Sequence, residues 1–467
     1  NLVYCSQHNS PKTSLAMSAI KIIEASSLTE SFYSTHRLAG GLEAVPLILE
    51  AVRTRGDSAV REYTAKFDRA NPESFEIPVS ALKGAEQKLK EKRPDLYDAL
   101  CLSRDLALKF ATRQRDSFDD FETELSPGLF TGQKTIPVDR AGLYVPGGRF
   151  PLFSSVIMCS APARAAGVRE IIFCTPPTPH PENPALPWTD EQIMATASLC
   201  GIDRVFAIGG AQAIAAMAYG TESVPRVNVV VGPGNKYVAQ AKKLVYGEVG
   251  IDLLAGPTEV MVIADDSANP EWVAADLLAQ AEHDPDAQAV LVTPSRKLAE
   301  AVQEAVGRLV SALPEGAVAR KSLAGNSCIV LIDRIGDAAA IANRKAPEHL
   351  ELALNAGEER DALEAECRNY GSLFVGHRTA EVLGDYAAGL NHTLPTSGSA
   401  FFTGGLSVRH FLKTVTTLRT AENGGEAGLP PTSPVLSGWR ASITASEILA
   451  EAEGLSGHAL AARCRKP

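Results

Sequence analysis

Apolar positions recur every three or four residues across the first quarter of the chain, and this spacing predicts helices. The stretch "GGLEAVPLILEAVRTRGDSAVREYTAKFD" has this spacing, with Gly56 as the expected break between two helices. A second periodic stretch runs from "SALKGAEQKLKEKRP" through "DLYDALCLSRDLALKFATRQ". Residues 41–118 are therefore predicted to be mostly helical.

From about residue 141 the pattern changes to short apolar runs that alternate with helical segments. The runs "AGLYVPGG", "EIIFCTPP", "RVFAIGG" and "NVVVGPG" each end in glycine or proline, and helical patterns such as "AQAIAAMAYG" follow them. A second series contains "EVMVIAD", "QAVLVTP", "SCIVLID", "LELAL" and "SLFVG". Such runs are typical of parallel strands that helices cover on both faces. The pattern predicts an α/β chain with two similar, incomplete Rossmann-like doubly wound domains.

Three stretches mark the boundaries of these series. The proline-rich stretch 175–188 is expected to be a surface excursion with a solvated His180, and "LLAGPTE" at 253–259 is a plausible junction between domains. After Leu406 the chain reads as a linker, "ENGGEAGLPPTSP", followed by a helical tail. Because this tail is too small to form a stable core alone, it is predicted to dock elsewhere, with another subunit as one option.

Composition restricts the classes of function. The 467 residues carry a formal charge of -10, which argues against a general nucleic-acid surface because phosphate binding needs clustered Lys and Arg. The eight cysteines form no CxxC pair, so free thiols in a reducing compartment are expected. No apolar run is long enough to cross a bilayer. We therefore expect a cytoplasmic protein, or a plastid protein if the source is a plant.

Three glycine-rich turns follow predicted strands: "YVPGGRFP", "IGGAQAIA" and "VGPGNKYV". Glycine lets the backbone approach a ligand closely, and the last two turns open into helices whose N-termini attract anions. None of them matches the GxGxxG dinucleotide fingerprint. Each turn alone is more easily explained as structural, but three in one domain favour a nucleotide-sized ligand.

The stretch "LLAQAEHDPDAQ" ends a predicted helix that starts at Asn269-Pro270-Glu271. Gln280 and His283 are three residues apart on its predicted last turn, so they share a face and can share a ligand. A histidine at this position also serves as an ordinary helix C-terminal cap. From these residues alone, both a metal site and a polar helix end stay open.

Three further clusters combine histidine with acids. In "NRKAPEHLEL", Glu348 and His349 are expected at the start of a helix, where a histidine tends to be neutral and available as a base. The irregular stretch "GDYAAGLNHTLPTSG" contains Asp385 and His392, which favours a site over packing. Near the terminus, "AEGLSGHALA" carries Glu453 and His458, which an exposed tail helix also explains.

Together these motifs resemble the histidinol dehydrogenases. "YVPGG", "GGAQAI", "GPGNKYVA", "AGPTEV", "AQAEHD", "APEHLE", "GDYAAGLNHTLPT" and "AEGLSGH" occur in the order seen in that family. The resemblance runs from about residue 40 to about residue 460. It implies a zinc-dependent enzyme that oxidises L-histidinol to L-histidine through a bound aldehyde, with two NAD used in succession.

The resemblance also implies roles for individual residues. Gln280, His283 and Asp385 look like zinc ligands from one subunit, and His458 looks like the ligand that a partner subunit supplies in a homodimer. Glu348 and His349 match the catalytic pair, with His349 as the base for the alcohol proton and Glu348 as the base that activates water. The NAD-contacting positions are matched by Tyr144, Gln212 and Asn235.

Substrate contacts and domain boundaries follow from the same resemblance. The substrate-contacting positions are matched by Thr258, Gln280, His283, His349, Asp385, His392, Glu453 and His458. Position 258 is more familiar as serine, so the threonine keeps the hydroxyl but adds a methyl group. The implied division is an N-terminal extension and arm at 1–38, a larger catalytic domain at 39–143 with 258–406, an NAD-binding domain at 144–257, and a dimerisation tail at 407–467.

Two alternative functions stay open at this point. A related zinc and NAD dehydrogenase that acts on another small polyol, such as a sulfonated propanediol, fits the same motifs because substrate choice within a fold is not readable from motifs. A zinc hydrolase, in which Glu348 activates water for an acyl substrate, is of a different class. The hydrolase leaves the three glycine-rich turns unexplained. A non-catalytic binding protein leaves both the Glu348–His349 pair and the metal set unexplained.

Overall fold

Two units of the chain are each built around a six-stranded sheet. The computed structural model describes residues 20–33, 42–147, 151–421, 430 and 432–466. The first unit comprises Asn1–Leu49, Pro233–Leu244 and Leu253–Gly405. The second unit comprises Glu50–Gly232, Val245–Asp252 and Leu406–Pro467.

The strands and helices of the described residues are numbered here in chain order. The strands are β1 (Lys21–Glu24), β2 (Glu76–Ile77), β3 (Phe121–Ser126), β4 (Leu129–Pro137), β5 (Arg140–Tyr144), β6 (Glu170–Thr175), β7 (Arg204–Ala207), β8 (Val229–Val231), β9 (Gly250–Ile251), β10 (Glu259–Ala264), β11 (Gln288–Thr293), β12 (Cys328–Leu331), β13 (His349–Ala353), β14 (Ser372–Val375) and β15 (Leu412–Thr420). The helices are α1 (Glu30–Tyr33), α2 (Ala44–Arg55), α3 (Asp57–Tyr63), α4 (Val79–Lys92), α5 (Pro94–Arg115), α6 (Phe153–Ala166), α7 (Glu191–Leu199), α8 (Gly210–Tyr219), α9 (Lys236–Val245), α10 (Pro270–Ala281), α11 (Arg296–Ala312), α12 (Val318–Gly325), α13 (Ala338–Lys345), α14 (Glu358–Glu366), α15 (Glu381–Tyr386), α16 (Ser437–Ala452) and α17 (Ser456–Arg463).

In the first unit, the parallel sheet has the order β1-β12-β11-β10-β13-β14. Its central strand β10 reads EVMVIA, and all six residues are buried, as expected for a strand covered on both faces. One core contains side chains of α10, α11 and α12, and another contains side chains of α13 and α14. Asn269 caps α10 by accepting a hydrogen bond from the amide of Glu271, and Pro270 occupies its first position.

In the second unit, the sheet has the order β2-β7-β6-β5-β8-β9, and only β2 is antiparallel to its neighbour. Helices α4 and α5 pack against α7 and α6, and their apolar residues join the core of this sheet. A separate antiparallel sheet has the order β15-β4-β3, in which the long strand β15 pairs with the whole of β4.

The α/β class with two similar, mainly parallel sheets is confirmed, and every apolar run that the sequence assigned to a strand is a strand. The helices predicted for 41–118 and for the tail are also present, with Gly56 between α2 and α3. No helix in the described part of the chain is long and apolar enough to cross a membrane. Residues 1–19 and 34–38 of the predicted arm, and residues 39–41 after it, lie outside the described residues.

The observed units divide the chain differently from the predicted boundaries. Residues 50–143 group with the second unit, although the prediction placed 39–143 beside 258–406. The cause is packing, because α4 and α5 cover the sheet that contains β5, β6 and β7. The tail from Leu406 groups with the second unit within one chain, since β15 extends the sheet of β3 and β4.

Candidate active site

The polar cluster of the first unit lies at the amino ends of two neighbouring strands. Glu259 is the first residue of β10, His349 is the first residue of β13, and the register pairs Val260 with His349. The C-terminal end of α10 brings Gln280 to the same place, and α15 brings Glu381 and Asp385. Ligands of doubly wound sheets usually lie at the carboxyl ends of strands, so this position is unusual for the fold.

Glu348 is buried, and two hydrogen-bond donors at the start of β10 hold its carboxylate. Its Oε2 accepts hydrogen bonds from the hydroxyl of Thr258 and, at 3.0 Å, from the amide of Glu259. Burial raises the pKa of Glu348 to about 7, while the charge of His349 and the two hydrogen bonds oppose this rise. The carboxyl group is therefore poised to exchange a proton near neutral pH.

His349 lies next to Glu348, with its ring fixed by a backbone carbonyl. Its Nδ1 is 3.2 Å from the carbonyl oxygen of Glu259, which favours the tautomer with a proton on Nδ1. Its Nε2 is 3.6 Å from Oδ1 of Asp385, longer than an ordinary hydrogen bond. The ring is thus oriented with Nε2 toward the carboxylate cluster.

The backbone at His349 differs from the prediction. The sequence predicted a neutral histidine at a helix start, but His349 begins strand β13, so no helix dipole disfavours its charge. Burial lowers the pKa of His349, but the charges of Glu381, Glu348 and Asp385 outweigh it and raise the pKa to about 10. The neutral form that a base requires therefore needs a positive charge beside these carboxylates.

Three side chains of this cluster can hold a metal ion. One ligand atom each of His283, Glu381 and Asp385 lie within 4.8 Å of one another. His283 is exposed and follows the end of α10 by two residues, so it is not on the last helical turn as predicted. The C-terminal end of a helix carries a partial negative charge, which favours a cation there. Imidazole and carboxylate are ligands that zinc accepts.

Gln280 is fully buried beside this group, and its amide has partners on both sides. In one amide orientation, Nε2 donates to Glu381, at 3.1 Å from Oε2, and Oε1 accepts from the amide of Glu259 at 2.8 Å. In the other, Nε2 donates to the hydroxyl of Thr258, whose own proton goes to Glu348. Gln280 therefore connects the carboxylate of Glu381 to the residues that hold Glu348.

In the second unit, a different polar cluster surrounds the turn between β7 and α8. The hydroxyl of Tyr144 accepts a hydrogen bond from the amide of Gly210 at 3.0 Å. Gln212 is buried, and its Nε2 donates to Oδ2 of Asp68 at 3.2 Å. The structure thus places Tyr144, the last residue of β5, near Gln212, which lies on α8 after the carboxyl end of β7. Close backbone approach also occurs at Gly232 (φ 120°), where a Cβ atom would be 2.0 Å from the carbonyl oxygen of Tyr144.

Comparison with known proteins identifies the family. A model of the family described as Histidinol dehydrogenase matches residues 34–466, which is nearly the whole chain. The chain belongs to the histidinol dehydrogenase family. It is accordingly an oxidoreductase.

Individual relatives match over the same extent. The histidinol dehydrogenase of Methylococcus capsulatus is 44% identical over 427 residues, which cover 91% of each chain. The one from Aquifex aeolicus is 42% identical over 426 residues, covering 91% of this chain and 92% of the relative. The crystal structure of histidinol dehydrogenase from Elizabethkingia anophelis has a TM-score of 0.85 and 32% identity, and covers 96% of this chain and 98% of that chain.

The remaining residues that the family resemblance singled out have mixed surroundings. His392 is largely enclosed, and burial lowers its pKa although the charge of Asp385 opposes this. Asn235 is exposed and accepts hydrogen bonds from the amides of Tyr237 and Val238 at the start of α9. Glu453 and His458 are exposed, after α16 and on α17 of the second unit. Their proposed roles in substrate, cofactor and metal binding stay predictions.

Two residues of these clusters were missed by the sequence reasoning. Glu381 lies four residues before Asp385 on α15, so the two carboxylates share one helix face. That spacing in "EVLGD" is a signal that the sequence contains. Asp68 gives no such signal, because its partner Gln212 is 144 residues away in the chain.

A second pair of carboxyl groups lies behind Glu381. Glu351 is 4% exposed, and its Oε1 accepts a hydrogen bond from the amide of Glu381 at 2.7 Å. Burial, followed by the charge of Asp276, raises the pKa of Glu351 to about 8, and burial raises the pKa of Asp276 to about 6 although its hydrogen bond with Glu351 opposes the rise. The two groups therefore share a proton near neutral pH.

This pair predicts a pH-dependent effect of Glu351→Gln. Because the pKa of Glu351 is raised on folding from 4.5 to about 8, its contribution to stability is complete below 4.5 and is lost as the pH rises through about 8. The glutamine is neutral throughout. We expect the free energy of unfolding of the variant, relative to the unmodified chain, to increase by on the order of 2 kcal/mol between about pH 5 and about pH 8 in urea titrations. The same change at exposed Glu366 on α14 is the control, and a pH-independent difference at 351 contradicts the shared proton.

Proposed function

We propose that this protein oxidises L-histidinol to L-histidine through L-histidinaldehyde, with zinc and NAD as cofactors. The observation that carries the proposal is the Glu348–His349 pair beside the group His283, Glu381 and Asp385. One carboxyl group and one imidazole provide the two bases that an alcohol oxidation and an aldehyde hydration require. The membership of the histidinol dehydrogenase family supports histidinol as the substrate.

The residues of the first unit fit a zinc ion. The ion would be held by Gln280, His283 and Asp385 of one subunit and by the partner subunit's His458. As a ligand, Gln280 would take its other amide orientation, in which Nε2 donates to the hydroxyl of Thr258 and Oε1 is turned toward Glu381 and the metal group. The surplus of buried carboxylates that raises the pKa of His349 is the local reason for a cation here, because a positive charge would bring this pKa down. When bound, zinc holds and polarises a nitrogen-containing substrate as a Lewis acid.

Glu348 and His349 would then transfer the protons of the reaction. Neutral His349 takes the proton of the substrate alcohol, with its ring held by the carbonyl of Glu259. Ionised Glu348 takes a proton from the water that adds to the aldehyde. The first oxidation releases one proton. The second incorporates the oxygen of the water and releases two protons, one when water adds to the aldehyde and one when the product ionises to the carboxylate. Burial of both side chains limits access of bulk water to the reactive aldehyde.

NAD would bind through Tyr144, Gln212 and Asn235, and it accepts a hydride in each oxidation. The polar side chains around Gly210, after the carboxyl ends of parallel strands, support a ligand with hydrogen-bonding groups at this place. Substrate contacts are proposed for Thr258, His392 and Glu453 in addition to the zinc ligands and His349. In the structure the hydroxyl of Thr258 already binds Glu348 and Gln280, so its proposed role includes holding both.

Turnover of L-histidinol tests the proposal directly. The purified protein with zinc is expected to form about two NADH for each histidinol consumed, because both oxidations use the same site. The measurement is NADH absorbance against the amount of histidine formed. Removal of zinc with a chelator should abolish turnover, and added zinc should restore it. Turnover of a sulfonated propanediol with one NADH per substrate, or hydrolysis of an acyl substrate without NAD, would contradict the assignment.

Glu381 is expected to strengthen metal binding through its charge. Glu381→Gln removes a buried carboxylate beside His283 and Asp385 and keeps the size of the side chain, so the dissociation constant for zinc should rise about 10- to 100-fold. The measurement is competition with a chromophoric chelator, which needs no turnover. The control is Glu282→Gln, which removes an exposed charge next to His283. Equal affinities of the 381 variant and the unmodified chain would exclude this role.

Mixed dimers test the shared site. Because the partner subunit's His458 is proposed to complete each zinc site, inactive His458→Ala and His349→Ala chains should form heterodimers with one intact site. Such heterodimers, purified with two different tags, should regain about half of the activity per dimer. The His349→Ala homodimer, carried through the same mixing, is the control. Heterodimers without activity would place the complete site within one chain.

A further inference from the structure

Asp68 reaches the proposed cofactor cluster from an irregular piece of backbone. It is the last residue of a π-helical turn, Thr64–Asp68, that continues α3, and Arg69 follows in the left-handed region with φ 56°. Such a conformation is strained for a residue with a side chain, and both π-helical turns and local strain are concentrated at functional sites. The irregular backbone here ends the helix and places Asp68 at the proposed cofactor cluster.

The carboxylate of Asp68 contacts the turn that begins α8. The amide of Gly209 donates a hydrogen bond to it, and Gln212 Nε2 donates at 3.2 Å. A Cβ atom at position 209 would be 2.9 Å from Oδ1 of Asp68, so glycine permits this approach. With the hydroxyl of Tyr144 on the amide of Gly210, internal acceptors occupy the first two amides of the turn. The positive end of α8 thus already holds an internal anion.

These contacts fix which way the amide of Gln212 points. A carboxylate only accepts hydrogen bonds, so it selects Nε2 of Gln212 and turns Oε1 away from Asp68. Among the described residues, no donor contacts Oε1 of Gln212. Burial raises the pKa of Asp68 to about 6, against the hydrogen bonds from Gln212 and Gly209. The group is still mainly ionised at neutral pH.

We propose that Asp68 is a positioning residue of the cofactor site, which fixes the amide of Gln212 so that its oxygen accepts a hydrogen bond from a donor group of NAD. The donor is a ribose hydroxyl or the carboxamide N–H of the nicotinamide. This inference rests on the proposed function, in which Gln212 contacts NAD. The inference adds that Gln212 accepts, rather than donates, the hydrogen bond with NAD, and that Asp68 determines this direction.

Reversal of the hydrogen-bond polarity tests the proposal. In Asp68→Asn, the asparagine oxygen still caps Gly209, but its Nδ2 turns Oε1 of Gln212 inward and leaves Nε2 facing the donor of NAD. We expect the dissociation constant for NAD to rise about tenfold. Gln212→Glu alone places two carboxylates together and should weaken binding at least as much. The double variant Asp68→Asn, Gln212→Glu restores an outward acceptor, and its dissociation constant should return to within about threefold of the unmodified value.

Calorimetry with NAD on the zinc-loaded protein gives these constants without turnover, and thermal unfolding shows that each variant is folded. Asp190→Asn is the matched control, because Asp190 caps α7 of the same unit through the amides of Gln192 and Ile193 and has no glutamine side chain to orient. It should leave NAD binding unchanged. If Asp68→Asn binds NAD as tightly as the unmodified chain, or the double variant recovers nothing, the positioning role is overturned. If Gln212→Ala leaves NAD binding unchanged, the cofactor assignment of Gln212 itself is wrong, and the inference falls with it.

Discussion

The arrangement of the proposed active site depends on the backbone of one residue, Glu259. Its amide donates to Glu348 and its carbonyl oxygen faces Nδ1 of His349, so one peptide segment fixes both members of the pair. Its side chain is held in turn by Lys345 at 3.0 Å, in an ion pair of which both side chains are nearly fully buried. Removing one partner of such a pair leaves an uncompensated buried charge, so the first residue of β10 is constrained by its side chain and its backbone together.

Among the described residues of the first unit, buried acidic groups near this segment outnumber buried basic groups. Glu348, Glu351, Glu381 and Asp385 converge on His349, and burial raises the pKa of the three glutamates. The carboxyl groups are kept together by sharing protons, by backbone amides such as those of Glu259 and Glu381, and by the imidazolium of His349. A cation among His283, Glu381 and Asp385, as proposed, would relieve the same repulsion. It would also account for the collection at one place of acids that are costly to bury.

The sequence predicts the sheets well and the site only in part. Runs such as "EVMVIAD" are apolar along their whole length, because strands buried on both faces need apolar residues at every position. The sheet of β3, β4 and β15 was missed because β3 and β15 are largely exposed and polar, and because β15 pairs with β4 from almost three hundred positions further along the chain. Motif resemblance supplied the identities of Glu348 and His349 but not their geometry. The proline and acid before His349 look like a helix start, whereas the pairing of β13 with β10 makes it a strand.

The two units place their polar clusters at opposite ends of similar sheets, and the dipoles of the helices account for this difference. At the carboxyl ends of strands in the second unit, α8 presents its N-terminus, whose partial positive charge suits an acceptor such as Asp68. At the amino ends of strands in the first unit, α10 presents its C-terminus, whose partial negative charge suits a cation. In a parallel sheet with crossover helices, helix N-termini lie at the carboxyl ends of the strands and helix C-termini at the amino ends. One fold type therefore provides a place for an acceptor and a place for a cation. In the proposed sites, side chains would add to these backbone effects. His283 and Asp385 would bind the cation in the first unit, and Gln212 would bind the cofactor in the second.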